Sequence, residues 1–205
     1  MTVQNLPIPV LDETELILNQ HTWTLEQYEM MIESGVLGDT DKVELLFGKI
    51  VDMSPIGASH SFVLQEMNYF MITNYGKKYI CRQEQPVAFP LHSMPEPDYV
   101  LARKMKHRFR KKRPQPEDVR LIVEVADSTL GRDRGPKAKL YASYGIQEYW
   151  IINLIDHHLE LHTEPTEKEG YESIVFFSRD ETFDSPLLGS FAVGNVLPRS
   201  KWEEE

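Results

Sequence analysis

One acidic residue interrupts an apolar run in the middle of this chain. Glu124 stands inside the stretch from Leu121 to Ala126, whose other residues are aliphatic. Runs of this kind are typical of strands that are buried on both faces. An unpaired carboxylate in such a strand costs several kcal/mol, so a cation, a metal ion or a raised pKa must neutralise it. The sequence therefore predicts chemistry at Glu124.

A second acid, Asp98, lies at the start of another strand-like run, from Pro97 to Ala102. Two carboxylates that converge from neighbouring strands, together with backbone or water oxygens, suit a hard divalent cation such as Mg²⁺. Lys137 follows the Glu124 strand at the start of the next predicted helix. An ammonium group there would stabilise an anionic transition state or orient an attacking water. Two acids and a lysine thus predict metal-assisted cleavage of a phosphodiester.

Each of these three residues also has a purely structural interpretation. Glu124 would form a buried ion pair with Lys137 or an arginine, without a metal ion. Asp98 would cap the strand or form a turn after Pro97. Lys137 would be an ordinary surface lysine in the first helical turn. The catalytic interpretation is favoured because it explains all three residues jointly.

Two further candidates are Glu44 and His60. Glu44 alternates with Val43 and Leu45, and it would either join the site or face solvent. His60 lies near a predicted helix start, where a histidine also serves as a cap or a core residue. A group of histidines later in the chain is better explained by a solvated turn than by a metal cluster. These histidines are His157, His158 and His162.

The basic residues are concentrated in one segment. The chain of 205 residues has 22 Lys and Arg against 32 Asp and Glu, and its net charge is −10. Eight of the 22 fall within positions 103 to 113, which leaves −18 on the remainder. Such local charge indicates contact with a polyanion, and a solvated loop is the alternative. Because the segment begins five residues after Asp98, we favour contact with a polyanion. The expected contacts are Arg108, Arg110, Lys111 and Lys112.

Hydrophobic periodicity predicts a mixed sheet with helices on its faces. Helices are predicted at 24–34, 59–70 and 136–145, the first with a capping box at Thr24. Strands are predicted at 79–89, 97–102, 119–126 and 148–153, together with a hairpin that turns at Gly48. Short strands and turns are expected from 159 to 197. The second helix should bury Phe62, Val63, Met67 and Phe70. The expected fold class is α+β with α/β character.

Length and composition favour a single domain at 21–198, preceded by a loose arm at 1–20 and followed by an acidic tail at 199–205. The only cysteine, Cys81, cannot form an internal disulfide. Neither a signal peptide nor a run long enough for a membrane helix is indicated. We therefore expect a cytoplasmic protein without membrane contact.

Several motifs together resemble those of the Uma2 family. They are Pro97-Asp98, Glu124-Val125-Ala126, the segment 133–137, Tyr141 and the segment 145–150. Glu44, the segment 53–55 and His60 match as well, so that the similarity spans roughly residues 20 to 197. The family is expanded in cyanobacteria and belongs to the PD-(D/E)xK nuclease-like superfamily.

The resemblance implies a restriction-endonuclease-like core that holds Mg²⁺ or Mn²⁺ and hydrolyses DNA. Asp98 and Glu124 would then be the metal ligands and Lys137 the catalytic lysine, with Glu44 and His60 as further catalytic residues. A homodimer is one option for the assembly.

The chain departs from the family pattern at three points. The superfamily's lysine usually lies two residues after the glutamate, where this chain has Ala126, so its role would pass to Lys137. The hairpin turn has Phe47-Gly48 in place of Asp-Gly, and Asn153 stands where an Asp is usual. The displaced lysine and the acidic total support an alternative function. In that alternative, the protein is a nuclease-like binding or assembly module that has kept the fold and lost turnover.

Overall fold

The computed structural model describes residues 20–38, 40–106 and 109–199. Most of the predicted arm at 1–20 and of the predicted tail at 199–205 lies outside these ranges. Arg108 of the basic segment also lies outside them.

The described chain begins with a capped helix and a hairpin. Helix α1 spans Leu25–Glu33. The Thr24 hydroxyl accepts a hydrogen bond from the Gln27 N–H at 3.2 Å, and Gln27 Oε1 accepts one from the Thr24 N–H at 2.9 Å, so the predicted capping box is present. Strands β1 (Val43–Leu46) and β2 (Lys49–Asp52) form the predicted hairpin. Its two turn residues have φ values of 49° and 75°, which match the twist of the strands.

Helix α2 (Ala58–Tyr75) is longer than predicted, and it buries Val63 and Met67 as predicted. Its buried residues are Val63, Leu64, Met67 and Met71. The prediction for Phe62 was wrong, because this stripe leaves Phe62 on the outer side of the helix, where it is 54% exposed. Within the described ranges, no helix has the length and apolar character needed to cross a membrane.

A six-stranded mixed sheet forms the centre of the fold, in the order β3-β4-β5-β6-β7-β8. The strands are β3 (Tyr79–Gln83), β4 (Tyr99–Arg103), β5 (Val119–Ala126), β6 (Glu148–Asn153), β7 (His158–Thr166) and β8 (Gly170–Ser178). Strands β5 and β6 pair in parallel through a helical crossover, and the other neighbours are antiparallel. The α+β fold class is therefore confirmed.

Two parts of the strand prediction were wrong. Strand β3 ends at Gln83, because Glu84 takes a φ of 47° and turns the chain out of the sheet. Strands β7 and β8 have nine residues each, whereas short strands were expected. Much of β8 is exposed on both faces, so its sequence carries no clear alternation. A second hairpin, β9 (Thr182–Ser185) and β10 (Gly189–Ala192), completes the structure.

The crossover after β5 contains a π-helical turn. Helix α3 (Leu130–Arg132) leads into this turn at Asp133–Lys137, and helix α4 (Ala138–Ser143) continues it. The predicted start at Pro136 was wrong, because the wide turn accommodates a proline that lacks an N–H group. Gly145, with a φ of 73°, ends the helix as predicted.

Apolar side chains cover both faces of the sheet. On one face, Trp150 packs with α2 and with the β9-β10 hairpin, and Cys81 contacts this cluster. On the other face, Tyr141 of α4 packs with Ile122 and Ile151. Glu124 pairs with Ile151 across β5 and β6, so its side chain belongs to the face that α4 covers.

Candidate active site

A cavity of about 550 Å³ opens at the end of β5, between the β1-β2 hairpin, α2 and the crossover. The five residues that the sequence predicted for the site all line it, from positions as far apart as 44 and 137. They are Glu44, His60, Asp98, Glu124 and Lys137. The fold thus brings the predicted set together in one place.

Asp98 and Glu124 tie the ends of two adjacent strands together. Glu124 Oε2 accepts a hydrogen bond from the Asp98 N–H at 3.2 Å, and Asp98 Oδ2 accepts one from the Val125 N–H at 2.6 Å. Glu124 is buried, whereas the Asp98 side chain is 16% exposed towards the cavity. Asp98 therefore bonds to the backbone of the neighbouring strand β5, and it also presents a carboxylate to the pocket.

Lys137 is buried at 6% exposure, so the interpretation as a surface lysine was wrong. Its Nζ lies 3.1 Å from Glu124 Oε1 and 3.6 Å from Glu44 Oε2. Burial alone would lower the pKa of Lys137, but the negative charges of Glu124 and Glu44 raise it above its ordinary value. The ammonium group is therefore charged at neutral pH.

The environment of Glu124 disfavours its charge. Burial raises the pKa of Glu124 well above its ordinary value, and Lys137 offsets only part of this rise. Asp98 and other acids of the pocket raise it further. The Tyr141 hydroxyl donates a hydrogen bond to Glu124 Oε1 at 2.7 Å, beside the lysine. The buried ion pair that was the structural alternative for Glu124 is thus present, and it does not balance the local charge.

Asp133 is a site residue that the sequence analysis missed. It lies at 2% exposure in the π-helical turn, and it accepts a hydrogen bond from the Thr129 hydroxyl at 2.6 Å. Burial raises the pKa of Asp133 to about 6, although Lys137 and Thr129 lower it. The sequence feature that could have revealed Asp133 is its four-residue spacing to Lys137. This spacing places the two side chains on one face of a helix, but only if the helix begins before Pro136.

Glu44 is buried, so the interpretation that it faces solvent was wrong. Its Oε2 accepts a hydrogen bond from the Glu96 N–H at 3.1 Å, and Arg132 Nη1 lies 3.6 Å from its Oε1. Glu44 is the residue of β1 that lines the pocket.

His60 faces Asp98 from the first turn of α2. Its Nε2 lies 3.1 Å from Asp98 Oδ1, but within the described part of the chain it makes no aligned hydrogen bond. Burial alone would lower the pKa of His60, whereas contact with Asp98 and the charges of nearby acids raise it above its ordinary value. This shift favours the protonated ring.

The charge balance of the pocket bears on whether it fits a metal ion. Four acids act on Lys137, namely Glu44, Asp98, Glu124 and Asp133. Carboxylate oxygens are the ligands that Mg²⁺ prefers, and a divalent ion would relieve the excess of negative charge. In the ranges that the structure describes, no three His, Cys, Asp or Glu side chains form a ready-made metal cluster. The donor set therefore fits a hard cation that takes two carboxylates and completes its coordination with water.

Comparison with known proteins places the chain in a family. The model of the Uma2 family, described as "Putative restriction endonuclease", matches residues 25–196. The chain belongs to the Uma2 family. A solved structure described as "a putative nuclease belonging to DUF820 from Anabaena variabilis ATCC 29413" resembles it with a TM-score of 0.64 and 14% identity. The match covers 84% of this chain and 96% of that one, and it shows a shared fold. None of the curated proteins matches the chain.

The basic segment of this Uma2 protein divides into tethered and free residues. Arg103 pairs with Asp118, and Arg113 pairs with Glu29. Lys104 donates hydrogen bonds to backbone carbonyls. Three of the predicted DNA contacts are exposed and have no ion pair with any described residue. They are Arg110, Lys111 and Lys112. Arg113 also acts electrostatically on Glu96 in the pocket wall, so this end of the segment lies near the cavity.

A second polar cluster lies beside the π-helical turn. Glu160 on β7 accepts two hydrogen bonds from Arg134 Nε and Nη2, at 3.0 and 2.8 Å, and Asn153 donates a third at 3.1 Å. His158 and His162 also contact its carboxylate. The solvated-turn interpretation was wrong for His162, which is 1% exposed because β7 directs it towards the sheet interior. The cluster anchors the turn that carries Asp133 and Lys137.

Proposed function

We propose that this Uma2 protein is a metal-dependent endonuclease that hydrolyses DNA phosphodiester bonds with Mg²⁺ or Mn²⁺. The observation that carries the proposal is the meeting of Asp98, Glu124 and Lys137 in one pocket that has an excess of negative charge. Membership of a family described as "Putative restriction endonuclease" supports the same reaction.

Asp98 and Glu124 would hold the metal ion. Both carboxylates point into the pocket from adjacent strand ends, and the backbone hydrogen bonds between them fix their separation. When bound, the ion supplies positive charge that polarises the phosphate and promotes ionisation of water. His60 contacts the outer oxygen of Asp98, and a protonated ring there orients the carboxylate.

Lys137 supplies a fixed positive charge beside the scissile phosphate. Its ammonium group is held by Glu124 and Glu44, so it does not need to reorganise when negative charge develops on the phosphate. Glu44 lies 3.6 Å from the ammonium group and Asp133 acts on it electrostatically, which makes both of them positioning residues.

The exposed residues of the basic segment would contact the DNA backbone. Arg110, Lys111 and Lys112 project from the protein near the cavity, and Arg108 belongs to the same run. Phosphate contacts of this kind position a duplex without reading its sequence. Because the chain has a net charge of −10, we expect the basic segment to attract the DNA backbone and the rest of the surface not to do so.

One observation favours a second candidate, a nuclease-like binding or assembly module without turnover. Lys137 and Tyr141 both donate hydrogen bonds to Glu124 Oε1, so this oxygen already has partners within the protein. A pocket that is stable in this state has no absolute need for a metal ion. The homodimer remains one option for such a module.

Incubation of purified protein with supercoiled plasmid in Mg²⁺, in Mn²⁺ and in EDTA separates the two functions. A nuclease should nick or linearise the plasmid in Mg²⁺ or Mn²⁺ and leave it intact in EDTA. Glu124→Gln should abolish this activity, whereas Glu117→Gln, at an exposed acid before β5, should retain it. Plasmid binding without cleavage under every metal condition would support the silent module instead.

A further inference from the structure

Arg82 is an arginine whose charge has no acidic partner in the described part of the chain. It lies half-buried on β3. Its Nε is buried without a hydrogen bond, and its Nη2 reaches only the Pro86 carbonyl, at 3.5 Å. Arg82 takes part in none of the ion pairs among the described residues.

This arrangement is costly for the free protein. Burial lowers the pKa of Arg82, and the neighbouring positive charge of Arg113 lowers it further. An arginine nevertheless stays protonated in proteins, so it cannot escape the cost by losing its proton. Arg113 already has Glu29 as a partner and brings no anion to Arg82. An anion from outside the chain would remove the cost.

Arg82 faces the same side of the sheet as the candidate active site. It pairs with Val100 on β4, and Val100 pairs with Ile122 on β5. Because side chains alternate along strands, these residues share their face with Asp98 and Glu124, each two positions further along. Arg82 is therefore offset from Asp98 by roughly 7 Å along the strands and by one strand spacing of about 4.8 Å across the sheet. A separation of this order suits the phosphate next to the one at the site.

Phe109 holds the Arg82 side chain without using its donors. The Phe109 ring centroid lies 5.6 Å from Arg82 Cζ, at cation–π distance. A guanidinium that is stacked in this way keeps its N–H groups for an anion, and its fork matches phosphate oxygens. Phe109 also begins the exposed part of the basic segment, at Arg110 to Lys112.

We propose that Arg82 forms a phosphate-binding subsite, with Phe109 as its support, for the DNA backbone phosphate that neighbours the scissile one. The identity of the substrate rests on the proposed function. Recognition of a phosphate group by Arg82 does not, because it rests on the half-buried guanidinium without an acidic partner among the described residues, and not on cleavage.

Arg82→Met tests the subsite, since methionine removes the charge and keeps much of the contact with Phe109. Arg120→Met is the matched control, because Arg120 also lies on a sheet strand but donates its hydrogen bonds to the backbone carbonyls of Glu117 and Val119. Fluorescence anisotropy with a labelled duplex in EDTA measures affinity without turnover. We expect Arg82→Met to weaken binding roughly tenfold, as for one charge-assisted interaction, and to lower the salt slope by about 0.9. Arg120→Met should change neither.

Thermal unfolding provides a second measurement that depends on neither cleavage nor metal. Both the duplex and inorganic phosphate should raise the melting temperature of the wild-type protein and of Arg120→Met. Arg82→Met should lose the response to inorganic phosphate and keep only a smaller response to the duplex. Arg82→Lys keeps the charge without the fork, so it should retain the salt slope and lose part of the affinity. This variant serves the same purpose if Arg82→Met does not fold.

The outcomes separate the subsite from the proposed function. Equal affinities and salt slopes for Arg82→Met and Arg120→Met would overturn the subsite, and so would a wild-type protein that responds to neither ligand. A response to inorganic phosphate alone, lost in Arg82→Met, would overturn the DNA assignment and give the site to a small phosphate compound. Arg82-dependent duplex binding by a protein that cleaves no plasmid would support the subsite and contradict only the nuclease.

Discussion

The ammonium group of Lys137 lies 3.1 Å from Glu124 Oε1, although the two residues are separated by a strand end and a helical turn. The resemblance to the PD-(D/E)xK superfamily predicts a lysine at the position where this chain has Ala126. The π-helical turn at Asp133–Lys137 brings a lysine to the same carboxylate from the neighbouring helix. The displaced lysine is therefore compatible with a complete set of site residues.

Loss of Lys137 should impair both stability and activity. Lys137→Met leaves Glu124 and its neighbouring acids without their buried cation, so we expect a loss of roughly 3–5 kcal/mol in the free energy of unfolding. Denaturant titration at neutral pH measures this loss. Lys139, two residues further along the helix, is exposed, and Lys139→Met should change stability by less than about 0.5 kcal/mol. Equal stability of the two variants would contradict the buried ion pair.

The two lysines should also differ in cleavage. Under conditions where both variants are folded, Lys137→Met should reduce metal-dependent plasmid cleavage by at least roughly 10²-fold, the effect of losing one electrostatic stabiliser. Lys139→Met should cleave like the wild type. Loss of cleavage only in the Lys139 variant would contradict the assignment of Lys137 and make Lys139 the catalytic lysine.

Glu160 should stabilise the fold in a defined range of pH. Burial alone would raise its pKa, but hydrogen bonds from His162, Arg134 and Asn153 lower the pKa of Glu160 from 4.5 to about 2. A depressed folded-state pKa contributes stability above about pH 4.5, and this contribution disappears as the pH falls towards 2. Glu160→Gln should therefore be less stable than the wild type at pH 6, and the difference should shrink below pH 4.5.

Chemical denaturation across this range checks the prediction for Glu160. Glu164→Gln, an exposed residue of the same strand, is the control and should track the wild type at every pH. A stability difference between Glu160→Gln and the wild type that stays constant from pH 6 to pH 3 would show that the carboxylate does not titrate as described.

Neutralisation of the basic segment should weaken DNA binding without unfolding the protein. The variant replaces Arg108, Arg110, Lys111 and Lys112 with glutamine. Each lost phosphate contact should lower the slope of log affinity against log salt by about 0.9. A control variant with four neutralised lysines elsewhere should keep the slope, at Lys77, Lys78, Lys139 and Lys168. Identical slopes for the two variants would mean that the segment is merely solvated.

The sequence was sufficient to find Glu124 because its signal is local. A carboxylate within an apolar strand is costly wherever the strand lies, so Glu124 stood out without knowledge of its neighbours. Asp98 followed from its place at the start of another strand-like run, where its carboxylate could converge with that of Glu124. The capping box at Thr24 and the hairpin at Gly48 were predictable for a related reason, since both depend on residues within four positions.

The missed features depend on contacts between distant segments. Asp133 enters the pocket only because the helix begins before Pro136 and widens around it. The burial of Glu44 depends on how the β1-β2 hairpin docks against the crossover, through Arg132 and Lys137. Phe62 has the apolar character of a core residue, and only the docking of α2 on the sheet decides that it points outwards.

Titration calorimetry of Mn²⁺ into metal-free protein tests the central claim most directly, because it measures metal binding at the Asp98–Glu124 pair without reference to DNA. We predict one binding event for the wild type and for Glu117→Gln, and none for Glu124→Gln or Asp98→Asn. The melting temperature should rise with Mn²⁺ in the same two proteins only. No heat of binding in the wild type, or unchanged binding in Glu124→Gln, would contradict the metal centre and favour the silent module.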